Sequence, residues 1–220
     1  MRILDLFCGA GGAAMGLHRA LPSAEIVGVD VEPQSRYPFS FIRSSWETVD
    51  TSTFDFIWAS PVCKGYSALR HYGTNSRRTG WPDQVPGVRE KLMQSGLPYV
   101  IENVPRSPLR TDSFLCGQMF GLPLIRHRLF ETSFYWLRPP HICARRGAVA
   151  RREVICICGH GGGTNAKTQS NRLLAWTKAE AQKALGIDWM TRAEMAQAIP
   201  PAYSEFIFKQ WMQGRREMAS

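Results

Sequence analysis

The sequence predicts an α/β protein built on a doubly wound, mostly parallel sheet. Three observations carry that expectation. Apolar runs of strand length alternate with stretches of helical pattern along most of the chain. The first run passes into a glycine-rich turn, Cys8-Gly9-Ala10-Gly11-Gly12, that opens a helix. The second run ends on an acid, Asp30, about 20 residues after that turn, as in nucleotide-binding sheets.

Taken in order, Arg2 to Phe7 forms the first strand, and the helix from Gly12 to about Ala20 stops before Pro22. Glu25 to Val29 is the second strand, with Asp30 placed where an acid meets ribose hydroxyls. A short strand is expected around Phe39 to Ile42. Phe54 to Ala59 is a buried strand that ends at Ser60-Pro61, because proline lacks the donor a central strand needs. A polar, basic loop between Ser67 and Pro82 suits a lid or a phosphate contact. A helix from about Gln84 to Ser95 ends at Gly96, and Tyr99-Val100-Ile101 is the next strand, with Glu102-Asn103-Val104-Pro105 at its tip. Residues 116 to 122 form a loop or short helix, and Leu129 to Ser133 a strand. Residues 138 to 172 are rich in Arg, Gly and Cys with little apolar periodicity; Val154 to Cys158 reads there as a strand. Helices over Lys178 to Gly186, Thr191 to Gln197 and Pro201 to Gly214 close the chain. The expected organisation is a catalytic and cofactor-binding domain over 1–134, a small irregular insert over 135–175, and returning helices over 176–220.

The chemistry-bearing residues fall at strand ends. Cys63 lies on the loop after the Phe54–Ala59 strand, followed by Lys64 and Gly65. In an open α/β sheet ligands bind at the carboxyl ends of strands, so this thiol is placed to act as a nucleophile. A buried small hydrophobe is the other reading of a free cysteine. Glu102 occupies the same kind of position. Extended-chain alternation puts Arg126 and Arg128 on one face, where two guanidinium groups can clamp a phosphate or brace a polar base edge.

Bulk properties narrow the partners. Lysine and arginine number 27 against 18 acids, a net charge of +9 that favours a polyanion, since each phosphate contact releases counterions. No apolar run is long enough to span a membrane. No signal peptide is visible and six cysteines are present, which points to a reducing, cytoplasmic setting without disulfides. His141, Cys143, Cys156, Cys158 and His160 cluster in the insert, but Cys-x-Cys-x-His departs from common zinc spacings, and no metal site is assigned to them.

Several of these stretches together resemble, in order, the cytosine-5 DNA methyltransferase family. Asp5-Leu6-Phe7-Cys8-Gly9-Ala10-Gly11-Gly12 looks like the family's first motif, Pro61-Val62-Cys63 its Pro-Cys loop, and Glu102-Asn103-Val104 its Glu-Asn-Val motif. Arg126-x-Arg128 matches its Gln-x-Arg-x-Arg motif with Leu124 in the glutamine position. Gln197-Ala198-Ile199-Pro200-Pro201 resembles the Asn-Ala-Val-Pro motif. The resemblance covers nearly the whole chain except roughly residues 135 to 175. It departs at Val62 (proline in the family), at Lys64 (glutamine), and at Ser44 or Ser45, where an acid often contacts the cofactor adenine.

The resemblance implies a Rossmann-like, class I S-adenosylmethionine-dependent methyltransferase. Catalysis would rest on Cys63, Glu102, Arg126 and Arg128. The cofactor would be held by Asp5, Phe7, Gly9, Gly11, Gly12, Asp30, Pro61 and Gln197. Lys64, Ser67, Arg145, Arg146, Arg151 and Arg152 would contact double-stranded DNA, with the target cytosine flipped out and the protein acting as a monomer. The short insert implies a site of about two to four bases. An RNA cytosine-5 methyltransferase and a non-catalytic nucleic-acid binder of the same fold are the rival readings.

Overall fold

A computed structural model describes residues 1–66, 82–141, 153–157 and 176–219. Among the described residues, seven strands make one mixed sheet: β1 (Arg2–Leu6), β2 (Glu25–Asp30), β3 (Ser40–Arg43), β4 (Phe56–Ala59), β5 (Tyr99–Asn103), β6 (Phe114–Leu115) and β7 (Arg128–Thr132), in the order β3-β2-β1-β4-β5-β7-β6. The first five are parallel, and β7 and β6 add to the edge antiparallel. The central strands β4 and β5 are buried throughout, so their near-continuous apolar character reflects cover on both faces. The strand order reverses between β1 and β4. There the connections leave to opposite sides, and the crevice at the carboxyl ends is the ligand position of such a sheet.

The helices are α1 (Gly12–Ala20), α2 (Val85–Ser95), α3 (Lys178–Leu185), α4 (Arg192–Gln197) and α5 (Pro201–Ala219). α1 matches the expected bounds, and α5 runs past the expected Gly214. Thr177 and Thr191 cap α3 and α4, each accepting from the third helical N–H while Glu180 or Glu194 reaches back. Among the described residues, no helix is long and apolar enough to cross a membrane.

One core face joins α1, α5 and the aromatic set Phe56, Trp58, Phe130, Tyr203, Phe208 and Trp211. Gly16 permits the α1–α5 approach: a Cβ there would lie 2.0 Å from the Pro201 carbonyl and 2.1 Å from Ser204 Oγ. Ser204 in turn donates to the Ala13 carbonyl at 2.8 Å. The other face packs α2 onto Leu4, Val27, Ile57 and Ile101. Buried Arg89 of α2 grips Glu131 of β7 through two bonds of 2.6 and 2.7 Å, and so fastens the antiparallel edge.

Two expectations are modified. The strand over Val154 to Cys158 is reduced, in its described part, to one parallel bridge between Leu124 and Ile155. The Ile157 carbonyl, which a longer ladder would use, accepts from the Arg126 side chain instead. β6, only two residues long, has no counterpart among the expected strands.

Candidate active site

The glycine turn follows β1 directly. Phe7 takes a left-handed backbone (φ 58°), as do Gly9 (φ 48°) and Gly11 (φ 83°). For phenylalanine that conformation is costly and is held only by its surroundings. Cys8 N–H donates to the Val29 carbonyl at 3.2 Å, and Gly9 N–H to Asp30 Oδ2 at 3.1 Å, which ties the turn to the tip of β2. Space beside the three glycines differs. Nothing lies within 4 Å of a Cβ at Gly9, which leaves room for a ligand. At Gly11 a Cβ would meet Pro38 at 2.6 Å, and at Gly12 the Ile199 carbonyl at 2.4 Å. Those two glycines are required by protein packing.

Asp5 lies beneath the turn, 1% exposed. Its Oδ2 accepts from the Tyr37 hydroxyl at 3.2 Å, while buried Oδ1 has no hydrogen-bond partner among the described residues. Burial, with help from the Asp30 charge and against the Tyr37 bond, pushes its carboxyl up to about 8. Asp30 also accepts from Glu32 N–H at 3.0 Å. Phe7 packs near Trp46, ring centres 6.2 Å apart, an aromatic neighbour that sequence patterning does not single out. Gln197 is exposed at the end of α4, and the adjoining Ala198 and Ile199 rest against Gly12.

Across the switch point, β4 delivers the loop carrying Cys63. Asn103, fully buried at the end of β5, donates to the Pro61 carbonyl at 3.0 Å; Val62 N–H donates to Gln84 Oε1 at 3.3 Å. The chain then turns, with Tyr66 N–H bonded to the Cys63 carbonyl at 3.0 Å. Cys63 is half-buried and Lys64 exposed. Glu102 is 6% exposed, and Arg128 Nε reaches its Oε1 at 2.9 Å. Ser60 hydrogen-bonds the same carboxyl and receives the Trp58 indole N–H at 3.1 Å. Trp58 and Ser60, two residues apart on one strand face, therefore hold the carboxyl from the side opposite β7. Neither was legible as a site residue, because the first reads as core and the second as a strand end.

The electrostatics of this pair oppose each other. Burial raises the Glu102 carboxyl above its ordinary value, although Arg128, Arg126 and the Ser60 bond pull it down. Burial, then the Glu102 charge, raises the Cys63 thiol, while Arg128 and Arg126 favour its anion. A proton retained on Glu102 thus eases ionisation of Cys63.

Arg126 and Arg128 separate in role. Arg128 faces Glu102. Arg126, 3% exposed, spends its guanidinium on the carbonyls of Ile157 (2.6 Å) and Ala196 (2.8 Å), and its own carbonyl accepts from Tyr203 at 2.7 Å. It ties the insert and the C-terminal helices to the site, and its charge still acts on Cys63 and Glu102. Ser67, Arg145, Arg146, Arg151 and Arg152 lie outside the described residues, as do the basic loop after Ser67 and Cys143, Cys158 and His160.

Five parallel strands with an antiparallel pair added at one edge make a Rossmann-like fold. Among solved structures, the chain is similar to Dnmt2 methyltransferase from S. pombe (TM-score 0.62, 13% identity, covering 97% of this chain and 99% of that one). It is similar also to a DNMT2 mutant from Spodoptera frugiperda (TM-score 0.61, 14% identity, 96% and 99%) and to the methyltransferase EhMeth from Entamoeba histolytica (TM-score 0.58, 12% identity, 97% and 98%). At such identity the likeness establishes a cytosine-5 methyltransferase-like fold over nearly the full length. No family model matches the chain, and no curated protein matches it by sequence.

Proposed function

We propose that this protein transfers a methyl group to carbon 5 of cytosine in DNA through a transient covalent bond from Cys63. The observation that carries the reading is the Cys63 thiol at the end of β4, beside a buried carboxyl held by Arg128 and across the switch point from the glycine turn. Carbon 5 of cytosine is a poor nucleophile while the ring is aromatic. Addition of the Cys63 thiolate to carbon 6 breaks the aromaticity and makes carbon 5 enamine-like. The thiol proton leaves to solvent. Glu102, kept neutral longer than an exposed glutamate, gives its proton to ring nitrogen 3, and Arg128 stabilises the carboxylate that results. After the methyl arrives, a base (water in the simplest case) takes the hydrogen from carbon 5. The sulfur–carbon bond then breaks, and Glu102 recovers its proton.

S-adenosylmethionine, when bound, supplies the electrophilic methyl. The residues present fit it. Gly9 leaves open room at the turn, the buried Asp5 Oδ1 is an acceptor that a cationic group could satisfy, and Asp30 at the tip of β2 would meet the ribose hydroxyls. Phe7 would meet the adenine, and Pro61, Gly11, Gly12 and Gln197 would shape the walls. The small insert reads a short site on flipped-out DNA, with the protein acting as a monomer.

The test is trapping. Duplex DNA and RNA of the same sequence, each carrying 5-fluorocytosine, are incubated with protein and S-adenosylmethionine. A stable adduct mapped to Cys63 is expected on DNA, and none with Cys63→Ser. An adduct on RNA alone moves the substrate to RNA with the chemistry intact. No adduct on either leaves a fold that binds without catalysis.

A further inference from the structure

Away from Cys63, three side chains from separate parts of the chain converge. Cys116 Sγ and one ring nitrogen each of His127 and His141 lie within 4.8 Å of one another. Cys116 follows β6 and is fully buried. His127 sits between Arg126 and Arg128 at the start of β7. His141 lies in the first part of the insert, the last residue described before position 153. We propose that Cys116, His127 and His141 bind a zinc-type divalent cation that fastens the root of the insert to the antiparallel edge of the sheet. The proposal does not depend on which substrate the enzyme methylates.

The geometry favours coordination. The two Nε2 atoms are 3.4 Å apart. A tetrahedral zinc with bonds of about 2.05 Å to two imidazoles separates the nitrogens by about 3.3 Å. A hydrogen bond between the rings would give the same separation, but would not bring a buried thiol to the same point. The rings stand nearly perpendicular (74°), each with its edge relation to Phe114 set, at 5.2 Å for His127 and 5.5 Å for His141. Cys116 Sγ reaches the Leu124 carbonyl at a long 3.8 Å, a contact a metal would replace as the sulfur draws in.

The chemistry selects the ion. One thiolate and two imidazoles suit zinc and exclude magnesium and calcium, which prefer oxygen. Imidazole ligates zinc in its neutral form, the form an ordinary histidine mostly takes at pH 7. Arg128 and Arg138 (over the Phe114 ring at 4.6 Å) act against a dication. Loss of the Cys116 proton to solvent on binding removes one unit of that charge. This donor set is spread through the chain, unlike the compact Cys-x-Cys-x-His cluster of the insert.

The full chain is loaded with zinc, desalted and assayed for metal by mass spectrometry, with circular dichroism as a check of folding. About one zinc per chain is expected, with three protein donors and the fourth position left to water. Cys116→Ser and His141→Gln should each lose it. In cobalt-loaded protein, the visible bands of tetrahedral cobalt should appear with a thiolate charge-transfer band that Cys116→Ser removes. His141 is only half-buried, so His141→Gln carries the test should Cys116→Ser misfold. Protein that stays metal-free at micromolar zinc, or variants that keep full occupancy, would overturn the proposal, and neither outcome bears on methyl transfer.

Discussion

Replacing Glu102 by glutamine should move two measurements in opposite directions. The amide keeps the size of the side chain but cannot give a proton to cytosine. General acid help of this kind is worth about 10²–10⁴-fold, or about 2.7–5.4 kcal/mol of barrier. Methyl transfer should fall by that factor. Burial still holds the Cys63 thiol up, but the same change removes the negative charge that adds to it, so Arg128 and Arg126 favour the thiolate against burial alone. Alkylation of Cys63 by iodoacetamide at pH 8, followed by peptide mass spectrometry, should therefore become faster. The fold also registers the loss. The amide oxygen can still accept from Arg128, so the 2.9 Å bond loses its charge and keeps its partner; that difference is about 1–1.5 kcal/mol. In a domain of this size it lowers Tm by about 2–6 °C. Methyl transfer near the parental rate, or slower alkylation of Cys63, would refute the coupling between carboxyl and thiol.

Three further outcomes are expected. The folded-state value of Asp5 lies far above its ordinary one, so its contribution to stability is full at low pH and is lost as pH rises towards about 8; thermal melts should show Tm declining over that window, with a shallower decline in Asp5→Asn. Glu131→Ala leaves Arg89, 6% exposed, without its carboxylate and should cost about 3–5 kcal/mol in urea unfolding. Burial works to raise Glu131, but the Arg89 side chain and the Arg110 N–H outweigh it and hold it low, so this stabilisation is present at neutral pH and fades as pH falls through the folded-state value. Gly16→Ala forces a methyl to within 2.0 Å of the Pro201 carbonyl and should cost about 1–3 kcal/mol by overpacking; an unchanged urea midpoint would contradict the described α1–α5 contact.

The sheet was readable wherever a strand carried its own punctuation. Glycine after Phe7, proline after Ser60 and the acid at Asp30 mark where backbone must turn, and such marks are local. Strand direction is not local: the alternation over β7 reads the same in either sense, so its antiparallel pairing with β5 followed only from the Val100–Thr132 register. β6 is too short for any period to emerge. At the site, Cys63 and Glu102 were legible from type and position. Ser60 and Trp58 were not, because their role arises from facing a carboxyl more than 40 residues away. Arg126 shows the same limit. Its spacing from Arg128 predicts a shared face, yet the carbonyls of Ile157 and Ala196 claim its guanidinium.

The turn after β1 is walled by parts of the chain made much later: the Trp189 indole donates to the Ala10 carbonyl at 2.8 Å, and Ser204 reaches Ala13. During translation, the strands up to β7 emerge well before these partners. A ribosome-bound chain therefore lacks that wall of the turn until α5 has emerged. The glycine turn is thus enclosed only after the seven described strands have been made.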